Sequence, residues 1–335
     1  MNSPISRESV IGACLGIVIL VALPLVLSSG RMTIVNEVII WGIFAMGINV
    51  LLGYTGLVSV GHGMFMGIGG YGIAVLVQFA EIPVWPAIPL TILGSGLLGM
   101  FVGAIVMRVS RIQFLVVTLA IAELFYGTFT KLRATGGEDG MSPIDTFRPN
   151  LSWIGLDTAQ TNGFYYWLLA CLVLVMLALW RFLRSPFGSV LVGIRENEKR
   201  MVALGYNVAF YKIMAFTVSG AVSGLGGLLL CQNIEFINPD QMAWEVSGEG
   251  LLMVIIGGRM FFVGPLLGAA FFLIVKDLLS EITEEYIIFL GLSFMAIVAF
   301  FSRGLAGYFV DLYDWLKRRF GSGPPAPEAA TDAAE

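Results

Sequence analysis

Ionisable side chains are scarce in this 335-residue chain: Asp, Glu, Lys and Arg make up 13% of it, and there is one histidine. A soluble domain carries about 25% charged residues, so a water-facing surface is already hard to build. With His62 as its only imidazole, the chain has poor material for a Ser/His/Asp or Cys/His triad. No His, Cys and carboxylate group falls at metal-ligand spacing, so no metal and no other cofactor is expected. The phosphate-cradling pattern G-x-x-x-x-G-K-[ST] is absent, which excludes ATP hydrolysis of that kind in this chain. No basic and aromatic pattern suits nucleic acid. The three cysteines, Cys14, Cys171 and Cys231, all lie within apolar segments and read as small lipid- or bundle-facing residues.

What remains is apolar. Such residues make up 57% of the chain, and the mean hydropathy is +0.87. A spanning helix needs roughly 20 mostly apolar residues. Runs at 10–28, 33–52, 58–79, 86–107, 112–130, 163–180, 213–231 and 286–302 qualify. A ninth apolar region, 248–280, is interrupted by Gly257, Gly258, Arg259, Gly264 and Pro265. The expected fold is an all-α polytopic membrane helix bundle of about eight full spans plus this broken region, up to ten segments in all. No small-x-small cleavage site follows the first run, which is expected to remain as a span.

With both termini cytoplasmic, 14 of the 19 basic residues fall inside, including Arg108, Arg111, Arg195, Lys199, Arg200, Lys212 and Lys317–Arg319. This is a positive-inside distribution. It also constrains 248–280, which must enter and leave on the same side, either as a re-entrant loop or as two short half-helices meeting at Gly257–Gly264. Irregular backbone at membrane depth is tolerated only against protein or a watery cavity, so Gly257 and Gly258 are candidates for a pathway lining. The external loop 131–162 reads as a turn-rich cap. Residues 1–302 are expected to form one transmembrane domain, and the Pro/Ala-rich tail within the cytoplasmic 303–335 is expected to be disordered from about 321.

The segment Arg181–Lys212 is a basic, amphipathic break between apolar runs. Ser185-Pro186 suits a helix start and Gly205 a helix stop. On one continuous helix Val190, Leu191, Ile194, Met201 and Val202 share a face, and Glu196–Arg200 is an i,i+4 pair. Two readings fit: an interfacial helix on anionic lipid, or a docking helix for a cytosolic partner. Gly53–Gly72 holds eight glycines in twenty residues, together with His62. It reads as a closely packed and kinked span, with His62 either a packing residue or a functional one. Glu123 lies in a span, where a carboxylate is costly, so it either faces a path or bonds to a neighbouring helix. Small residues at Ser95, Gly99 and Gly103, and at Ala215, Ser219, Ser223 and Gly227, read as packing seams.

Three stretches resemble a known family. NVLLGYTGLVSVGHGMFMGIGGY (Asn49–Tyr71), TLAIAELFYGTFTKLRATGGEDG (Thr118–Gly140) and the run Ser185–Leu225, with its SPFGSVLVGIRENE and ALGYNVAFYKIMAF cores, are similar to segments of the LivM-like permeases. These are the membrane subunits of branched-chain amino acid ATP-binding cassette importers. Gly70 and Glu138-Asp139 depart from the family pattern. The resemblance implies transport of branched-chain or hydrophobic amino acids; urea, short amides and aromatic acids are alternatives, and an ion-coupled secondary transporter is a more distant one. It implies a sister permease in a heterodimer, two cytosolic ATP-binding subunits, a periplasmic binding protein and a place in the bacterial inner membrane. It maps a coupling helix onto 185–205, with Ser185, Pro186, Gly188, Ile194, Arg195, Glu196, Ala203, Leu204 and Gly205 as contacts. Asn49, His62, Glu123, Gly257 and Gly258 become path candidates.

The charge distribution makes a direct prediction. Cysteines placed at Lys199 and Arg318 should be protected from a membrane-impermeant thiol reagent outside intact cells, while one at Asp145 is labelled. Labelling at 318 without labelling at 145 inverts the topology.

Overall fold

The computed structural model describes residues 21–24, 27–107, 109, 111–142, 148–152 and 157–282, together with positions 288–289, 291–292, 295, 304–308, 311 and 315. Most of the expected spans 286–302 and 10–28, with Cys14, Arg108, Asp145, Lys317–Arg319 and the tail from 321, lie outside the described residues.

Helices dominate the described residues: α1 Ser29–Leu52, α2 His62–Gln78, α3 Val84–Val106, α4 Arg111–Phe129, α5 Thr161–Leu183, α6 Pro186–Glu196, α7 Glu198–Ala203, α8 Val208–Ile234, α9 Trp244–Gly257 and α10 Gly264–Ile282. Five of them, α1, α3, α4, α5 and α8, contain stretches long and apolar enough to cross a membrane. The span expected at 58–79 differs. Its helix begins only at His62 and is 17 residues long, about 25 Å. Gly56, with φ +72°, turns the chain out of helical geometry, and residues 56–61 run non-helical. Side chains satisfy much of this irregular backbone: Ser59 Oγ accepts from Gly61 N, and Ser247 Oγ accepts from Gly63 N at 2.7 Å.

Helix α8 is the axis of the bundle, packed on α1, α2 and α3. Its small face makes this possible. A Cβ on Gly227 would lie 1.7 Å from the Met66 carbonyl oxygen, and one on Gly69 1.8 Å from that of Gly224. On α3, Ser95 meets Gly224, and Gly99 and Gly103 meet Phe216. The two small-residue stripes of the sequence are both packing seams, but with different partners: the one on α3 meets Phe216 and Gly224, while Ser219, Ser223 and Gly227 of α8 meet α1 and α2. Gly63 and Gly67 instead pack against Met242 and Ala243, which lead into α9. Cys171 and Cys231 face into the bundle.

The broken region 248–280 takes the half-helix form. Helices α9 and α10 run antiparallel, with the break at Gly258, whose φ is +103°. A Cβ on Gly268 would sit 1.8 Å from Met253 O, and one on Gly257 1.8 Å from Gly264 O. Lys276 Nζ donates to Glu249 Oε1 at 3.5 Å farther along the hairpin. With 14 residues, α9 reaches about 21 Å, less than the ~30 Å apolar core of a bilayer.

At the end opposite the Arg181–Lys212 break, the loop after α4 folds into two short 3₁₀ turns, Arg133–Thr135 and Gly137–Asp139. Met141 pairs with Ile237. Arg148 caps the last turn of α8, donating to the carbonyls of Gln232 and Asn233, while its guanidinium also reaches Thr158 O, Ala159 O and Glu235.

The seam predicts a contrast between two glycines. Gly227→Ala should cost about 1–3 kcal/mol or more, because backbone must move, and should lower the yield of folded protein in detergent. Gly94→Ala, where nothing lies within 4 Å, should be neutral or gain up to ~1 kcal/mol of helix propensity. Equal effects at both sites would show that the seam is not tight.

Candidate coupling and translocation sites

The break between α5 and α8 is two helices, not the single continuous one expected over 185–205. Asn197 leaves helical geometry (φ −156°, ψ 95°), and its Oδ1 accepts from Arg200 N to start α7. The expected Glu196–Arg200 pair therefore does not sit on one helix; the ion pair here joins Glu198 to Lys212 at the root of α8. Ser185 precedes Pro186 as expected, but its hydroxyl turns back to donate to Phe182 O at 2.6 Å. Gly188 lets α6 close onto the end of α5, since a Cβ there would be 2.1 Å from Leu183 O. Gly205 ends α7 with φ +87°. Gly205 N donates to Val202 O and Tyr206 N to Met201 O, the paired bonds of a Schellman motif.

The apolar face of α6 points into the bundle. Ile194 is fully buried, and with Val190 and Val208 it forms a small core closed by Met201 and Tyr211. Phe187 stacks on Tyr211 at 4.7 Å. The outward apolar surface lies farther along, in Val202, Leu204 and Tyr206, which are 58%, 65% and 41% exposed. Glu196, Ala203 and Gly205 share this exposed side. Sequence reasoning put Val202 on one face with Ile194 and left Tyr206 out of the contacts, because it carried one helical period through Asn197.

Arg195 does not join that surface. Its Nη1 donates to Gly53 O, at the end of α1, and lies 3.1 Å from Met260 Sδ at the tip of the α9–α10 hairpin. The tip rests on the same glycine: a Cβ on Gly53 would be 2.4 Å from both Arg259 O and Asn49 Oδ1. Asn49, Tyr54, Leu183 and Phe262 close around a small void beside it. On the other side, Leu52, Val58, Leu251, Ile255 and Gly258–Phe261 line a cavity of about 590 Å³. Thus Asn49, Gly258 and Arg195 come together at one junction, with Gly257 in the hairpin seam next to it. The signal in the sequence was Gly257-Gly258 and the Met260–Phe262 run after it.

His62 stands apart from this junction. Ser219 Oγ donates its single hydrogen to Gly47 O at 2.6 Å, so His62 Nε2 carries the hydrogen in its 2.7 Å bond to Ser219. The ring packs edge-on against Phe65 and Phe216 at 5.8 and 5.9 Å. This arrangement ties α2 to α8 and α1, which is a packing role. Glu123 lies on the exposed face of α4, in a shallow depression with Leu124, Gly127, Thr128, Lys131 and Leu132. Neither lines the 590 Å³ cavity. Among the described residues no cluster of His, Cys and carboxylates could hold a metal ion.

Apolar helices of spanning length, a broken hairpin and non-helical backbone inside the bundle define a polytopic membrane protein. The chain belongs to the family described as the permease component of branched-chain amino acid transport systems, whose pattern matches residues 30–301. The high-affinity branched-chain amino acid permease LivM of Salmonella typhimurium is 30% identical over 298 residues, 82% of this chain and 69% of that protein. The Escherichia coli LivM is 28% identical over the same shares. The ribose import permease RbsC of Haemophilus influenzae is 26% identical over 249 residues, 71% of this chain and 72% of its own length. No solved structure matches the chain.

The histidine network makes its own prediction. Ser219→Ala leaves the buried His62 Nε2–H without its partner, which costs about 1–3 kcal/mol; the melting temperature in detergent should fall. Transport by the folded fraction should keep its pH profile. A shifted profile would make His62 a proton carrier.

Proposed function

We propose that this chain is one permease half of an ATP-binding cassette importer that moves branched-chain or other hydrophobic amino acids across a bacterial inner membrane. Its partners are a sister permease, two cytosolic ATP-binding subunits that supply hydrolysis, and a periplasmic binding protein that delivers substrate. The Arg181–Lys212 end is cytoplasmic, as are both termini, and the 131–162 cap is external. The observation that carries this reading is the exposed apolar turn Val202–Tyr206, held on a folded base of Ile194, Val190, Val208 and the Glu198–Lys212 pair. A rigid knob of this kind suits a groove on a motor subunit.

The substrate class rests on the LivM relatives and on the cavity. Its lining is Leu52, Val58, Leu251, Ile255, Met260 and Phe261 around Gly258 and Arg259. Such a wall suits an aliphatic side chain better than the hydroxyls of the sugar named for RbsC, which need many fixed polar partners. Glu123 takes a place on the wall shared with the sister subunit. An exposed carboxylate in an apolar span is costly against lipid, and protein or a watery path relieves that cost.

The test separates a motor-docking knob from a lipid-bound helix. Leu204→Glu and Tyr206→Glu should each release the ATP-binding subunits in a pull-down and abolish substrate-stimulated ATP hydrolysis, with the permease still folded. A lipid-surface helix would instead respond to loss of Arg184, Lys199 and Arg200 together, at about 1 kcal/mol each. Retention of the ATP-binding subunits by both glutamate variants overturns the docking assignment. Ile194→Glu is expected to unfold the base itself, since it buries a charge without a partner.

A further inference from the structure

We infer that Arg195 is a positioning residue that links the docking knob to the cytoplasmic rim of the translocation cavity, and that it makes this link inside the permease, not to the motor subunit. The inference rests on the functional reading above. Three elements far apart in sequence meet at its guanidinium. Arg195 belongs to the last turn of α6; Gly53 caps α1; and Met260 belongs to the hairpin tip. Arg195 Nη1 donates to the Gly53 carbonyl and contacts the Met260 sulfur at 3.1 Å. A guanidinium is suited to this, because it stays charged and presents several donors in a fixed plane.

The elements on either side are placed to transmit a displacement. On the docking side, α6 and α7 form one body through the Val190–Ile194–Val208 core and the Glu198–Lys212 pair. A push on Val202–Tyr206 therefore moves Arg195 with it. On the cavity side, Gly53 begins the unwound stretch that carries Val58, and Met260 lies on the tip; Val58 and Met260 are both walls of the 590 Å³ cavity. Neither wall is held by helical hydrogen bonds at that point. The Gly53 carbonyl and the Met260 side chain are thus the parts of the rim that Arg195 grips. The tip has little freedom to slide independently of α1, since the Arg259 carbonyl is seated directly on Gly53. Moving Arg195 then moves both walls together.

The bland alternative is that Arg195 is one more basic residue of the inner surface, serving lipid phosphates or the motor subunit. The two differ in what survives its loss. The experiment uses the complete importer, with its ATP-binding subunits and binding protein, in vesicles. Arg195→Met and Arg195→Lys are compared with wild type for retained ATP-binding subunits, ATP hydrolysis, and amino acid taken up per ATP. In a Cys14→Ser background, Val58→Cys reports rim movement through its reactivity toward a soluble maleimide with and without ATP. The expected result for Arg195→Met is full retention of the ATP-binding subunits, continued hydrolysis, and uptake per ATP down about tenfold, the scale of one lost charge-assisted hydrogen bond. The ATP-dependent change at Val58→Cys should vanish. Arg195→Lys should recover part of both, as it keeps one donor and the charge.

Loss of the ATP-binding subunits from Arg195→Met overturns the inference in favour of a motor contact. Unchanged uptake per ATP with an intact Val58→Cys response overturns it in favour of a surface role. If Arg195→Met does not fold, Arg195→Lys decides by the same two readouts. A wild-type chain that retains no ATP-binding subunits would overturn the importer reading itself, a separate outcome.

Discussion

Two backbone carbonyls, those of Met66 and Gly224, occupy the space where side chains would otherwise stand on Gly227 and Gly69. Inside a membrane there is no hydrophobic drive to press helices together, because lipid is as apolar as leucine. Association instead depends on close packing and on polar groups that find partners. Here α8 supplies both from one face. Its glycines admit α2, α3 and α1, and Ser219 bonds to His62 and Gly47 across the contact. Everything else hangs from this axis. The Arg181–Lys212 break is the folded entry to α8, Arg148 closes its far end, and the hairpin α9–α10 packs on α1, which α8 holds in place.

The same packing explains why broken backbone is tolerated within the bundle. The stretch before α2 and the tip at Gly258 both expose peptide groups that a lipid environment would leave unpaired. Serine hydroxyls and close neighbouring backbone take the place of helical bonds there. The regions that give up regular hydrogen bonding are also those that border the cavity. A wall without helical bonding moves at lower cost than a helix, so the packing that permits the break also leaves the cavity wall the part of the bundle that is cheapest to displace.

Much of this was legible in the sequence. Apolar runs placed α1, α3, α4, α5 and α8, and the tail charges forced 248–280 to double back, as α9 and α10 do. The small-residue stripes marked packing faces on α3 and α8, although the α8 stripe packs on α1 and α2 and the α3 stripe meets Phe216 and Gly224. What escaped was local. A continuous 3.6-residue period hid the break at Asn197, because Asn is only a modest helix breaker and its cap bond to Arg200 forms within the fold. That error turned Ile194 outward on paper, whereas the structure buries it. The late start of α2 escaped for a similar reason: hydropathy reads Val58 as spanning, while the left-handed Gly56 decides the backbone. Arg195 looked like surface charge, since its partners are a carbonyl and a thioether that no charge pattern reveals.

The distance along the chain between the two halves of the central contact has a consequence for biosynthesis. His62 and Ser219 are 157 residues apart, and ribosomes add roughly 5–20 residues per second. For roughly ten to thirty seconds, therefore, the nascent chain holds α2 and its unwound leader with no partner. A short helix with an indented, glycine-rich flank is poorly matched to bare lipid. Until α8 emerges the bundle cannot close around its axis. The order of synthesis thus sets the order of assembly: the glycine-rich flank of α2 is made early, and the helix that fills it comes late.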